Sequence, residues 1–261
     1  MKTTSLLSCH LGPEISPEQV IGEHFFLCLA SGWMMAYSGD KTYRIEPGDY
    51  CIARKNHLMR YRKHRQDNDF QKIIIVLDEP FLQQFLKKHQ TIFGLAEHND
   101  PVLFVKSDSM LDSFITSLEP YYTGEAHIDE TFADLKREEL LLILLKNDPD
   151  LANVFFNFGA PQKIDLKEFM NRNFRFNIST DRFAYLTGRS ASAFKRDFKK
   201  LFNDTPGHWL TKKRLEEAYF LMQNQNLKPS DIYLDLGFED MSHFSFAFKK
   251  QFGQSPTALL K

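Results

Sequence analysis

The sequence has no uninterrupted apolar run of 18 residues, so no membrane-spanning helix is expected. Its three cysteines, Cys9, Cys28 and Cys51, are odd in number and lack metal-ligand spacing. They suggest neither a disulfide framework nor a zinc site and read as small buried hydrophobes. The opening stretch MKTTSLLSCHLGPEISPEQV has one lysine and a weak apolar patch, then acids and prolines. It lacks the graded pattern of a secretory signal, and the expected location is the cytoplasm.

Net charge is also lacking: the 261 residues sum to -1. That balance conceals an asymmetry about the Phe158–Pro161 stretch. Residues 1–160 carry 16 Lys and Arg against 23 Asp and Glu, or -7, and residues 161–261 carry 17 against 11, or +6. A basic end behind an acidic body is the electrostatic layout of a nucleic-acid binder with a separate sensing or partner domain. The length allows two domains.

The first hundred residues contain short aromatic and β-branched segments (FFLCLA, WMMAYS, KTYRIE, YCIARK, LMRYRK, FQKIIIVL) between turn signals such as Ser38-Gly39-Asp40 and Pro47-Gly48-Asp49. Their close spacing predicts a small barrel or sandwich. A helix should follow with Phe81, Leu82, Phe85 and Leu86 on one face and Pro80 in its first turn. Another should bury Met110, Leu111, Phe114, Ile115 and Leu118 and stop before Pro120. The run Leu140 to Leu145 is apolar all round, which fits packing within its own domain or a dimer interface equally. Gly159, Ala160 and Pro161 mark a domain boundary.

The last hundred residues read as helical and contain a repeat. Asp165 and Glu168 are spaced as a capping box ahead of Leu166, Phe169 and Met170. Ser179 caps a short helix ending near Leu186, Thr187-Gly188-Arg189 turns the chain, and a longer helix spans about 190–201, the helix-turn-helix pattern. Fifty residues on, Ser242, Phe244, Phe248, Lys249, Lys250, Phe252 and Pro256 repeat Ser192, Phe194, Phe198, Lys199, Lys200, Phe202 and Pro206. The turn glycines, Gly188 and Gly237, are forty-nine apart, so the second turn has one extra residue. At about 100° per residue Ala191, Phe194, Phe198 and Leu201 share a buried face, and Ser192, Lys195, Arg196 and Lys199 the opposite one. The outward set of the second copy is Ser242, Ser245, Phe246 and Lys249. An apolar back with a Lys/Arg/Ser front suits the DNA major groove, Arg or Lys reading guanine and the lysines positioning on phosphate.

The stretches SASAFKRDFKKLFNDTP and GFEDMSHFSFAFKKQFGQSP resemble the paired helix-turn-helix units of AraC/XylS-type transcription regulators. The resemblance covers residues 163–260, and PGHWLTKKRLEEAYFLMQ, with Trp209, Leu210, Arg214, Leu215 and Ala218, is similar to the family's connecting helix. It implies a bacterial, non-enzymatic, sequence-specific DNA-binding regulator, an activator by inclination, whose candidate contacts are Ser192, Lys195, Arg196, Lys199, Lys200, Met241, Ser242, Ser245, Phe246, Lys249 and Lys250. The implied partners are double-stranded DNA, RNA polymerase, a small-molecule or protein effector and a second copy of the chain, with no membrane, metal or cofactor. Two positions depart from the family pattern: Tyr233, where Ala184 of the first unit has the usual small residue, and Phe246, where an outward polar residue is usual. Charge follows that loss, with +8 over residues 163–214 and -2 over 215–261, so the first unit should dominate affinity.

The segment YRIEPGDYCIARKNHLMRYR is similar to the Pro-Gly-Asp hairpin of cupin-like barrels. Metal-binding cupins use a His-x-His pair, whereas His57 and His64 stand seven apart, which disfavours a metal-dependent enzyme. Arg54, Lys55, Arg60, Arg62, Lys63 and Arg65 form a solvated strand face or a site for an anionic effector or acidic partner, and Trp33, Tyr37, Tyr43 and Tyr50 could line an effector pocket or a barrel core. The expected architecture is therefore α+β: a cupin-like small β-barrel over 1–106, a central helical hairpin within 107–158, and an all-α DNA-binding domain over 163–261 with two helix-turn-helix units joined by a long helix. A degenerate regulator working by protein contact alone is the alternative.

Overall fold

The computed structural model describes residues 6–9, 19–65, 69–89, 91, 94–95, 98, 100–118 and 130–260. Pro120 and the side chain of Cys9 lie outside them. The chain divides between Gly159 and Ala160 into two compact units, a mixed β/α unit and an all-helical one.

In the first unit, ten strands form three antiparallel sheets among the described residues. The largest joins β1 (Leu6–Cys9), β9 (Gln71–Leu77), β3 (His24–Ser31), β6 (Tyr50–Ala53) and β10 (Val102–Val105) in that order. A second holds β5 (Lys41–Ile45), β4 (Trp33–Ser38) and β8 (Arg60–His64), and the third pairs β2 (Val20–Ile21) with β7 (His57–Leu58). The β-rich domain is as expected, but among the described residues no ladder closes it into a barrel. Alternation along a strand fixes its buried face and leaves its neighbour open.

The chain leaves the large sheet through a register shift between Leu29 and Ser31 and Gly32, whose φ of +73° and 2.8 Å approach to the His64 carbonyl exclude a side chain. Ser38-Gly39-Asp40 makes the expected β4–β5 hairpin. Pro47-Gly48-Asp49 does not make one: β5 and β6 on its two sides belong to different sheets, so the turn is a crossover. The Asp49 carboxylate holds it by accepting from the Glu46 amide at 2.7 Å.

Helices α1 (Glu79–Lys88), α2 (Ser109–Ser117), α3 (Glu130–Asn147) and α4 (Leu151–Phe155) complete this unit. Asp78 and Asp108 cap the first two through their side chains. Leu82 and Phe85 of α1, Leu111 and Phe114 of α2, and Leu140, Leu141, Ile143 and Leu144 of α3 join Phe26, Ile52 and Ile75 of the large sheet in one core. The apolar run of α3 thus packs inside its own unit, except that Leu142 faces outward with Phe132 and Leu135. Met110, expected on the buried stripe of α2, is also exposed. No helix is long and apolar enough to cross a membrane among the described residues.

Candidate nucleic-acid interface

The second unit opens with α5 (Leu166–Asn173), capped by Asp165, whose carboxylate accepts from the Glu168 amide. The Glu168 side chain pairs with Arg172 at 2.9 Å, so this half of the expected capping box is used along the helix. Helix α6 (Thr180–Leu186) starts at the Ser179 cap and α7 (Ala191–Phe202) at the Ser190 cap. Between them the Gly188 amide donates to Tyr185 O and the Arg189 amide to Ala184 O, the bonding of a Schellman motif with glycine in the left-handed position. Gly188 has φ +65°, and a Cβ there would meet the Gln162 carbonyl at 2.5 Å.

The second copy repeats the bonding of this turn, although its first helix starts at Lys228 without a side-chain cap. Helix α9 (Pro229–Ile232) runs into a turn where the Gly237 amide donates to Leu234 O and the Phe238 amide to Tyr233 O, and Asp240 caps α10 (Met241–Phe252). The offset of forty-nine therefore holds through Phe238 and becomes fifty at the cap, which identifies the extra residue as Glu239. Its carboxylate accepts from the Asn177 side chain at 2.9 Å.

Phe194, Phe198, Phe244 and Phe248 are fully buried, each pair one helical turn apart. Phe202 and Phe252 extend the two stripes at 4.4 and 4.6 Å from the preceding rings. Leu201 is 49% exposed, contrary to the expected inward position, because the i, i+4 stripe drifts to Phe202 instead.

The connecting helix α8 (Pro206–Gln225) serves both copies. Trp209 packs on Phe198 and Phe202, and Tyr219 packs on Phe248 and Phe252. Ten residues separate them, about 15 Å of helix. Arg214 lies between, on the buried stripe of Leu210, Leu215, Ala218 and Met222. Its guanidinium donates to Phe174 O at 2.7 Å, Phe176 O at 2.7 Å and Gly237 O at 2.9 Å. Burial pulls its pKa down to about 10, which leaves it charged at neutral pH.

The turns are braced differently. In the first unit the Arg189 guanidinium, nearly buried, donates to Thr187 O and Ile164 O and pairs with Asp197 of α7 at 3.3 Å. That hydrogen bond, with help from Arg196 and Lys163, holds the Asp197 carboxyl below the usual carboxylate range. In the second unit the equivalent positions are Phe238 and Ala247, and the Phe238 ring meets Phe244 edge-on at 5.1 Å.

Ser192, Lys195, Arg196, Lys199 and Lys200 all stand exposed on the outer face of α7. Arg196 reaches its neighbour Asp197 at 3.5 Å, and Lys199 Nζ donates to Asn203 O at 3.2 Å. On α10, Ser242, Lys249 and Lys250 are exposed, Ser245 is half-buried, and Phe246 is 72% exposed. Met241 is half-buried against the second core. The structure gathers the eleven candidates onto two helices of the same local design, one face cationic and the other mostly neutral.

Sequence reasoning missed the roles of Arg189, Asp197 and Arg214. Arg214 had a signal, a cation on an otherwise apolar stripe, but the pairing of Arg189 with Asp197 crosses from a turn to the next helix and has no periodic signature. In the N-terminal unit the four aromatics Trp33, Tyr37, Tyr43 and Tyr50 have different surroundings, with Trp33 and Tyr37 at alternate half-buried positions of β4. Trp33 stacks on His64 at 3.6 Å, Tyr43 lies against a second sheet core, and Tyr50 is in the main core, its hydroxyl donating to Asp112.

Two family models match the chain: an ExsA N-terminal regulatory domain over residues 24–154 and a helix-turn-helix domain over residues 183–261. The chain is 22% identical over 258 residues to the HTH-type transcriptional regulator ExsA of Pseudomonas aeruginosa, covering 97% of this chain and 91% of that one. It is 22% identical over 235 residues to the virulence regulon transcriptional activator VirF of Yersinia enterocolitica, covering 88% and 86%. Among solved structures, an apo ToxT variant of Vibrio cholerae aligns with 99% of this chain and 97% of its own at 14% identity and a TM-score of 0.46. A regulatory domain matched over half of the chain, with the doubled helix-turn-helix behind it, makes this protein a member of the AraC family of DNA-binding transcription regulators, in the branch that carries an ExsA-type N-terminal domain.

Proposed function

We propose that α7 and α10 enter successive major-groove segments of one duplex, and that the first unit supplies most of the affinity. The observation that carries this reading is the two helices of matching caps, turns and phenylalanine stripes whose outward faces differ in charge. Lys195, Lys199 and Lys200 are placed to neutralise phosphates, and Arg196 is the side chain for guanine. In the second unit Lys249 and Lys250 keep the phosphate role, Ser242 and Ser245 are small polar readers, and Phe246 offers a ring to a thymine methyl. The connecting helix is about 30 Å long, comparable to the ~34 Å between half-sites one turn of DNA apart.

Control enters through the N-terminal unit by an effector or protein partner, and the regulated step is activation through RNA polymerase, in keeping with the activator named among the relatives. The outward apolar side chains Met110, Phe132, Leu135 and Leu142 of α2 and α3 suit a homodimer contact, which sedimentation equilibrium of the full chain would detect. The exposed Phe246 also fits a contact with another protein, in which case its loss would leave DNA binding intact and reduce transcription only.

The test of the proposal is selection of bound sites from random DNA with the full chain. The expected product is two conserved blocks about one helical turn apart, with the stronger information in one block. Arg196→Ala should relax base choice at one position of that block. An unchanged selected site would mean that α7 faces the duplex differently.

A further inference from the structure

Away from the helix-turn-helix units, the regulatory unit brings metal-ligating side chains together from two loops. His98, just ahead of β10, meets Asp148 and Asp150 of the turn between α3 and α4, and one donor atom from each lies within 4.8 Å of the other two. This is the one such convergence among the described residues. The His98 Nε2 atom is shut off from solvent and has no hydrogen-bond partner. Asp148 Oδ2 stands 3.5 Å from it, within ion-pair range but well beyond the ~2.9 Å of a good N–H···O bond. The other oxygen of Asp148 is occupied by the Asp150 amide at 3.0 Å.

A separation of 3.5 Å has a different meaning if an ion sits between the atoms. Two donors each 2.0–2.1 Å from a tetrahedral zinc are ~3.3 Å apart. One imidazole nitrogen and two carboxylate oxygens form a donor set that Zn²⁺ accepts, with three protein ligands leaving one position for water. His98 and Asp148 also line a cleft of about 460 Å³. We infer that His98, Asp148 and Asp150 form a zinc-type divalent cation site that fastens the approach to β10 onto the α3–α4 turn. The site is separate from the strand histidines His57 and His64 and is structural or sensory, since ligand binding to the folded state raises its stability by mass action.

The test uses the full chain, stripped with chelator, dialysed against Zn²⁺ and analysed for bound metal, with Co²⁺ as a spectroscopic probe. One Zn²⁺ per chain is expected, with a rise in Tm and a tetrahedral Co²⁺ absorption band. His98→Ala should abolish all three. Asp150→Asn should weaken binding by at least about tenfold, the loss that even outer-shell changes cause. An unchanged Tm of the metal-free variants shows that they fold; if His98→Ala does not, Asp150→Asn alone reads the site. No retained metal, preference for Mg²⁺ or Mn²⁺ over Zn²⁺, or a full complement of zinc in the chain carrying both His98→Ala and Asp150→Asn would overturn the assignment.

Discussion

The two helix-turn-helix units close the same turn onto the same kind of helix, one with an ion pair and the other with an aromatic ring. Arg189 and Asp197 brace the first, and Phe238 against Phe244 braces the second. The exchange extends to the outer face, where Lys195 and Arg196 of α7 correspond to Ser245 and Phe246 of α10. Both units keep the elements that form the motif, namely a side-chain cap on the longer helix, a left-handed glycine with Schellman bonding, and three phenylalanines at i, i+4 and i+8. Architecture is therefore held constant while the charge available to DNA is not.

The largest expected effects fall equally on the two units. Phe198→Ala and Phe248→Ala each remove a fully buried ring and should cost about 3–5 kcal/mol in denaturant unfolding. A large inequality would show that the cores are not equivalent. Next is Arg214→Met, which leaves three carbonyls without their charged donor and should cost about 3 kcal/mol. Because one of those carbonyls belongs to Gly237, hydrogen exchange should rise at Gly237 and Phe238 before it rises at Gly188 and Arg189.

The contrast sharpens at the candidate DNA contacts. Arg196→Ala should cost about 1–3 kcal/mol of binding to the selected site and relax one base position. Phe246→Ala should cost less than about 1 kcal/mol, as the loss of an apolar contact to a base edge. Smallest is Asp197→Asn, which unfastens Arg189 but keeps the hydrogen-bonding shape, and should lower stability modestly. The Asp197 pKa is depressed in the folded chain, so its contribution is complete above the ordinary Asp value of ~3.9 and is lost as pH falls through the lower folded value. Wild type and Asp197→Asn should accordingly differ by a constant amount between pH 6 and 8.

The helical half was the more legible because its signals are local. Ser179 and Asp165 cap helices at the positions their spacing predicts, and the phenylalanine period alone separates core from surface, apart from Leu201. Long-range choices were not legible. The sequence around Pro47-Gly48-Asp49 specifies a turn but not that its two strands join different sheets, and strand alternation does not decide whether a barrel closes. The guanidinium clamp of Arg214 spans 40 residues to Phe174 O, a partner that no spacing rule supplies. Of the candidate site, the placement of these residues on two helices could be read from the sequence, and the bracing that orients them could not.

On the proposed reading, phosphate contact is concentrated in the first helix-turn-helix unit. Measuring affinity for the selected site as a function of salt tests it directly, since each phosphate contact contributes about -0.9 to the slope of log K against log salt. The substitutions Lys195→Ala, Lys199→Ala and Lys200→Ala together should flatten the slope by about 2.7 units, and Lys249→Ala with Lys250→Ala by about 1.8. A second-unit pair that flattens the slope as much as the first-unit set, or a first-unit set that leaves it unchanged, would contradict the account.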